Sequence, residues 1–419
     1  MPDNFPKYWK LLSVEECVAA IIDYRGKTPK KTHFGIPLVT AKIVKGGRIL
    51  PHEEYISPDV YDSWMRRGLP QPGDVVITTE APLGEVAQLG DLKVALAQRL
   101  ITLRGKPDLM DNTYLKFAMQ STFVQSQLRS RSSGTTVLGI RQSELQKVRI
   151  PIPPLPEQHV IAHILGTLDD KIELNRQMNE TLEAMAQALF KNWFVDFESF
   201  LDQGMEDSPL GPIPKGWRAG KLSDLCKTQY GYTASATEEP VGPHLLRVTD
   251  INKQNWIEWT SVPYCQISDE DKPKYALEPG DLVVARMADP GKSAIIEQTI
   301  DAIFASYLVR LKTESLAHAY YVYGFLKSQT YAEYAEGAGG GSSVQKTMNA
   351  KMIVDVNLVI PPLPILEVFL KRVLPLRRRL VDNVEQSTTL ASVRDTLLPK
   401  LLSGEIRVKD AERFVENKA

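Results

Sequence analysis

Ile152-Pro153-Pro154-Leu155-Pro156 recurs as Ile360-Pro361-Pro362-Leu363-Pro364, 208 residues further along the chain. Pro72-Gly73-Asp74, followed by Val75-Val76-Ile77, returns as Pro279-Gly280-Asp281 followed by Leu282-Val283-Val284 at an offset of 207. Gly134-Thr135-Thr136-Val137 returns as Gly341-Ser342-Ser343-Val344 at that same offset, and Trp9 and Trp217 lie 208 apart. A nearly constant offset shared by four matches identifies a tandem repeat, and the chain is two copies of one module.

Each copy has the same internal order. About 150 residues of mixed character come first. Short β-branched runs at 75–79, 100–103, 282–285 and 306–311 predict strands. Gly/Pro/Asp turns separate them, and helical patterns follow over 112–128 and 316–334. The proline stretch then stops each module, because proline fixes φ, removes a donor and keeps the preceding residue extended. Beyond it, Ile161, Leu165, Leu168, Ile172, Asn175, Asn179, Leu182, Ala186, Leu189 and Trp193 follow a 4,3 spacing, the seam of a long coiled-coil helix. The second copy repeats it at Phe369, Val373, Leu376, Leu380, Asn383, Ser387, Leu390, Arg394, Leu397 and Leu401. Arg394 breaks this second seam, and Pro375 is expected to kink or interrupt its helix. Asn175 and Asn383 occupy one repeat position, where a buried amide fixes register at a cost in stability.

The two helices most simply pair with each other, antiparallel, because the second module must return the chain to its starting end. The fold class expected is α+β: two similar mixed α/β modules in tandem, joined by an antiparallel helical pair with pseudo-twofold symmetry. The organisation is a module over 1–150, a linker and long helix over 151–206, a module over 207–360, and a linker, helix and C-terminal tail over 361–419. Helices of ~40 residues are about 60 Å long, enough to hold two reading heads over successive major-groove faces about 34–36 Å apart.

The chain has 419 residues, 43% of them hydrophobic and 24% charged, the balance of a soluble globular protein. No apolar run is long enough to span a membrane, and Met1–Lys10 lacks the apolar core of a secretory signal. Cys17, Cys226 and Cys265 have no metal-ligand spacing, so no metal is expected and a reducing cytoplasm is the simplest compartment. The net charge of −1 conceals segregation. Residues 1–150 carry 21 basic and 15 acidic side chains (net +6), and 151–206 carry 3 and 10 (net −7). Residues 207–364 carry 15 and 18 (net −3), and 365–419 carry 11 and 8 (net +3). The basic first block suits an anionic partner, and the opposite signs of the helical regions suit pairing.

The proline stretch extends to Ile150-Pro151-Ile152-Pro153-Pro154-Leu155-Pro156-Glu157-Gln158, and the helix continues through Leu168-Asp169-Asp170-Lys171-Ile172-Glu173-Leu174-Asn175. With the ending Leu397-Leu398-Pro399-Lys400-Leu401-Leu402-Ser403-Gly404, this order resembles the DNA-specificity subunit of type I restriction-modification systems. The resemblance covers essentially the whole chain. It departs at Pro364-Ile365-Leu366, where Pro-Glu-Gln is the pattern and a weaker helix-start contact is expected. It implies a non-enzymatic subunit with two target-recognition domains, each reading half of an asymmetric, split sequence in double-stranded DNA. It further implies docking of two adenine methyltransferase subunits and of restriction subunits. S-adenosylmethionine, Mg²⁺ and ATP belong to those partners, and this chain carries no cofactor of its own.

The residues agree that chemistry is absent. Neither Asn-Pro-Pro nor Asp-Pro-Pro occurs to hold a target amine. Gly291-Lys292-Ser293 ends like a phosphate loop, but Arg286 stands where the opening glycine belongs. His159 and His163 lack the general-base Glu of H-E-x-x-H, and Glu270-Asp271-Lys272 sits in an acidic loop. For DNA contact, the first module offers the loop Arg25-Gly26-Lys27-Thr28-Pro29-Lys30-Lys31, whose cations suit phosphates or guanine edges. Arg66, Arg67, Arg129 and Arg131 are further phosphate candidates. The corresponding loop of the second module carries Tyr230 and Tyr232, joined by Arg247, Lys253, Trp256, Arg286 and Lys292. Ala338-Gly339-Gly340-Gly341-Ser342-Ser343 offers backbone amides. Two other readings stay open: a coiled-coil scaffold or adaptor whose modules bind proteins, and the specificity subunit of a methylation-only system.

Overall fold

A computed structural model describes residues 5–24, 28–338 and 347–407. Its central strands explain the repeated motif. Val75–Thr79 and Leu282–Ala285 are buried along their whole lengths, without polar alternation, so each requires apolar cover on both faces. In the unit comprising Met1–Ile172 and Thr389–Ala419, the antiparallel sheet runs in the order Val18–Asp23, Leu100–Gly105, Val75–Thr79, Leu83–Gln88. Val75 and Ile77 face a core with Phe117, Leu165 and Leu397, while Val76 faces a second core with Leu38, Val39 and Ala87.

The unit comprising Glu173–Thr388 repeats this frame. Its sheet order is Cys226–Tyr230, Leu308–Thr313, Leu282–Ala285, Ser293–Ile295. Leu282 and Val284 join one core, Val283 and Ala285 the other. Ahead of each buried strand the Pro-Gly-Asp turn places glycine in the left-handed region, with φ +84° at Gly73 and +95° at Gly280. The aspartate that follows is buried and paired. Arg104 reaches both oxygens of Asp74 at 2.8 Å, and Arg310 Nη1 lies 3.2 Å from Asp281. The helical patterns prove to be helix pairs, Asn112–Gln120 with Thr122–Ser130, and Leu316–Leu326 with Gln329–Ala338. Ser121 and Ser328, 207 apart, divide them, each accepting a backbone N–H of the following helix on its hydroxyl.

The strands Arg149–Ile152 and Asn357–Ile360 pair antiparallel with Lys10–Ser13 and Arg218–Lys221 respectively, so each module closes just before its prolines. The fully buried Gln158 then clamps the start of the first long helix. Its amide donates to the carbonyls of Leu109 and Pro153 and accepts from the Asp111 N–H. In the second copy the equivalent Leu366 is fully buried in the apolar core. The contact expected to weaken there is replaced by packing.

The long helices are Leu155–Phe194 and Leu363–Ser403. The second is not interrupted at Pro375. One lost backbone bond is outweighed by burial of Phe369, Val373 and Leu380 and by the anchoring of Arg377. Ile161, Leu165, Leu168, Asn175, Leu390 and Leu397 are buried as well, and Ile172 is half-buried. Leu182, Leu189 and Leu376 are only half-buried. Their neighbours Glu183, Phe190 and Arg377 take the buried places, because a helix of 3.6 residues per turn drifts from a strict heptad. Asn175 Nδ2 donates to Gln386 Oε1 at 2.9 Å and Ser387 Oγ at 3.2 Å, and Asn383 Nδ2 donates to Asn179 Oδ1 at 2.9 Å. Arg394 meets Asp169, so the seam break is an ion pair.

Removing one partner of a buried pair strands the other charge. Arg104→Met is expected to destabilise the unit containing Asp74 by about 3–5 kcal/mol, read as a lowered midpoint in denaturant unfolding.

Candidate nucleic-acid interface

Antiparallel pairing sets Leu100 opposite Thr78 and Ile101 opposite Asp23. The ends of strands Val18–Asp23 and Val75–Thr79 therefore share one sheet edge with the start of Leu100–Gly105. Tyr24 Oη donates to the Gly68 carbonyl and accepts the Arg67 N–H, and the Arg67 guanidinium donates to the Asp23 carbonyl. These bonds bring Arg66 and Arg67, both exposed, to the point where the basic loop begins. A pocket lined by Ile21, Asp23, Arg67 and Gln142 opens at this edge. Arg25 and Lys27 lie outside the described residues. Lys30 is exposed, and Lys31 pairs with Glu54 at 2.8 Å. Arg129 is exposed at the end of helix Thr122–Ser130, while Arg131 is held 3.4 Å from Glu144.

The second module builds the same edge with other side chains. Ile140 N–H donates to the Thr79 carbonyl, and 208 residues on Met348 N–H donates to the Arg286 carbonyl. Tyr230, at the end of its strand, occupies the place of Asp23. The Arg286 guanidinium lies 5.1 Å from the Tyr230 ring centroid, a cation–π contact. Tyr230 Oη accepts the Ala350 N–H, and Tyr232 stacks obliquely on Tyr275 at 5.1 Å. Arg247 follows the strand His244–Leu246, whose Leu246 carbonyl accepts the Ala305 N–H beside Tyr232. Asp250 engages its guanidinium at 2.9–3.0 Å. Lys292 is exposed on the turn whose carbonyl accepts the Ala285 N–H, next to Arg286.

Two candidates stand apart from this edge. Trp256 is 8% exposed, its indole packed inside, which removes it as a surface contact. Lys253 is exposed on the same segment. That segment is tied by Asn255 to Lys327 and Tyr323, with the Lys327 ammonium 3.0 Å from Asn255 Oδ1 and 2.7 Å from the Ser293 carbonyl. Burial pushes the Lys327 pKa down to about 8. The glycine-serine run of the second module lies, from Gly339 to Ser343, outside the described residues.

Three residues escape sequence reasoning. Phe34 is 81% exposed beside the Lys30-Lys31 pair, on a turn where a Cβ at Gly35 would stand 2.3 Å from the Ile56 carbonyl oxygen. Arg99 reaches the first edge, 2.8 Å from Glu80, and Tyr307 lies exposed at the second, where its carbonyl accepts the Arg286 N–H. A large apolar ring inside a basic turn is the one signal that could have marked Phe34. Among the described residues, no cluster of His, Cys, Asp and Glu could hold a metal ion, and no helix is long and apolar enough to cross a membrane.

Residues 66–184 match the family model of the type I restriction modification DNA specificity domain. Over 423 residues, 97% of this chain and 95% of the relative, the chain is 28% identical to the type I restriction enzyme MjaIX specificity subunit of Methanocaldococcus jannaschii. The HindI specificity subunit of Haemophilus influenzae is 24% identical, across 66% of this chain and 73% of its own. The crystal structure of the type I restriction-modification S subunit from M. genitalium shares the fold, with a TM-score of 0.58 at 16% identity, covering 96% of this chain and 97% of that one.

Because the folded-state pKa of Lys327 lies below its ordinary value of 10.5, the folded chain holds fewer protons than the unfolded chain between about pH 8 and 10.5. Stability from this site therefore rises with pH across that window. The difference in melting temperature between the wild type and Lys327→Met is expected to shift in favour of the wild type from pH 7.5 to 10.

Proposed function

From the match of residues 66–184 to the type I restriction modification DNA specificity domain and the 28% identity to a type I specificity subunit over 97% of the chain, we propose that the chain is the DNA-targeting subunit of such a complex, each module reading one half of a split duplex target. The observation that carries this reading is the duplicated sheet edge. One backbone frame, with the same strand order and the same cross-edge bond, carries Asp23 and Arg67 in one copy and Tyr230, Tyr232 and Arg286 in the other. Two frames with unlike side chains specify unlike half-sites, so the target is asymmetric.

Lys30, Lys31, Arg66 and Arg67 supply phosphate contact, which orients a head without choosing bases. Tyr230, Tyr232 and Arg286 offer ring faces and a guanidinium fork, which suit groove edges. Phe34 is placed to wedge against a base step. The chain performs no chemistry. Adenine methylation, with S-adenosylmethionine, belongs to methyltransferase subunits docked on it, and ATP- and Mg²⁺-dependent cleavage to restriction subunits where the system has them.

A modified-base map of host DNA with and without this gene tests the role. Loss of adenine methylation at one gapped, asymmetric motif is expected, and an unchanged map of a strain in which the gene and its methyltransferase are expressed overturns it. In the assembled methyltransferase complex, Tyr230→Ala with Arg286→Ala should relax only one half of that motif. Lys30→Ala with Lys31→Ala should leave the motif unchanged and lower the salt dependence of binding by about 1–2 in log–log slope.

A further inference from the structure

The two copies build the sheet edge from one backbone and finish it differently. In each, the segment that makes the cross-edge bond runs straight into a short helix, Gln142–Leu145 in the first copy and Ala350–Val354 in the second. The offset of 208 that pairs Ile140 with Met348 pairs Gln142 with Ala350. The strand registers pair Asp23, opposite Ile101, with Tyr230, opposite Val309. In the second copy the Tyr230 side chain crosses from its strand to the helix start. Its hydroxyl accepts the Ala350 N–H at 3.0 Å, and the Arg286 guanidinium lies over its ring. The ring fills the space between strand end and helix.

In the first copy Asp23 is too short to cross, and that space is the pocket lined by Ile21, Asp23, Arg67 and Gln142. Ile21 and Asp23, two apart on their strand, project from one face. Arg67 Nη1 is committed to the Asp23 carbonyl at 3.0 Å. Gln142 is half-buried, and among the described residues its amide has no partner. That amide presents a donor and an acceptor side by side. In a major groove only adenine offers the complementary pair, the N6 amine and the N7 acceptor. Guanine shows two acceptors there, cytosine a donor, and thymine an acceptor beside a methyl group. The Asp23 carboxylate only accepts, so it favours the amine and opposes the oxygens of guanine and thymine.

We propose that Gln142 is the residue with which the first module reads an adenine, its Oε1 accepting from N6 and its Nε2 donating to N7. Tyr230 closes the equivalent place in the second module, which therefore reads its half by an outer ring face. This inference rests on the DNA-targeting role and assigns one of its specificity-determining residues.

The test uses the assembled methyltransferase complex and reads the bound motif by selection from randomised duplexes. Gln142→Ala is expected to relax one adenine position of one half-site, by about 5- to 150-fold in discrimination, and to leave the other half as strict as before. Asp23→Tyr copies the closure of the second module and should relax that same position, which tests the proposal should Gln142→Ala fail to fold. Replacing that adenine by 7-deazaadenine, which lacks N7, should weaken binding by the wild type and leave the Gln142→Ala complex indifferent. A purely structural role would instead loosen every position of the half-site together. Folded variants with an unchanged motif, relaxation at a base other than adenine, or an equal 7-deazaadenine effect on both complexes would overturn the proposal, while a gapped wild-type motif keeps the targeting role intact. A wild-type complex that selects no gapped motif overturns that role and this inference with it.

Discussion

A charge buried between two helices tolerates little displacement. Moving Arg377 by one helical turn would strand its guanidinium among apolar side chains and leave Glu183 and Glu297 unpaired, a loss of several kcal/mol. Burial alone would drive the guanidinium toward neutrality. The neighbouring Tyr323, Glu297 and Glu183 more than reverse this and hold its pKa well above the usual value. The asparagine layer imposes the same condition more gently, because Asn175 finds Gln386 and Ser387 in one register only. Apolar residues make the helices adhere. Polar ones decide the register in which they do so.

Within each module the corresponding device is the aspartate of the Pro-Gly-Asp turn. The strand that follows is covered on both faces, so its polar neighbours must be satisfied locally. The arginine from the adjacent strand does so, in a two-pronged contact at Asp74 and a single one at Asp281. Burial raises the Asp281 carboxyl against the pull of Glu278 N–H and Arg310. The repeated Pro-Gly-Asp motif is therefore structural, and its recurrence identifies the frame rather than the reading surface.

The architecture was largely legible because it rests on period and offset, which survive divergence. The duplication, the closing prolines, the strands at 75–79 and 282–285 and the asparagines of the seam could all be read from spacing. What could not be read depends on contacts between residues far apart in sequence. Glu183 and Arg377 look like solvated charges beside seam leucines, and only their mutual approach, across 194 residues, makes burial tolerable. Trp256 looked like a surface aromatic beside a lysine, yet it packs inside. Pro375 looked like a break, but local propensity yields when the turns on both sides are anchored. At the candidate interface, single residues were legible only as types. Nothing in the sequence indicates that Arg131 and Arg247 are already engaged by Glu144 and Asp250, which lowers their freedom to meet phosphate.

This separation of labour explains how one fold accommodates two different heads. The residues holding each module together lie on the two covered faces of its sheet and in the turn that precedes the buried strand. At the sheet edge the copies carry unlike side chains, Asp23 in one and Tyr230 in the other, beside a backbone bond common to both. The helices obey the opposite rule. There a single exchange, such as an acid for Arg377, places three carboxylates together and cannot be neutral. Variation is inexpensive at the edges and costly at the buried charges of the helices.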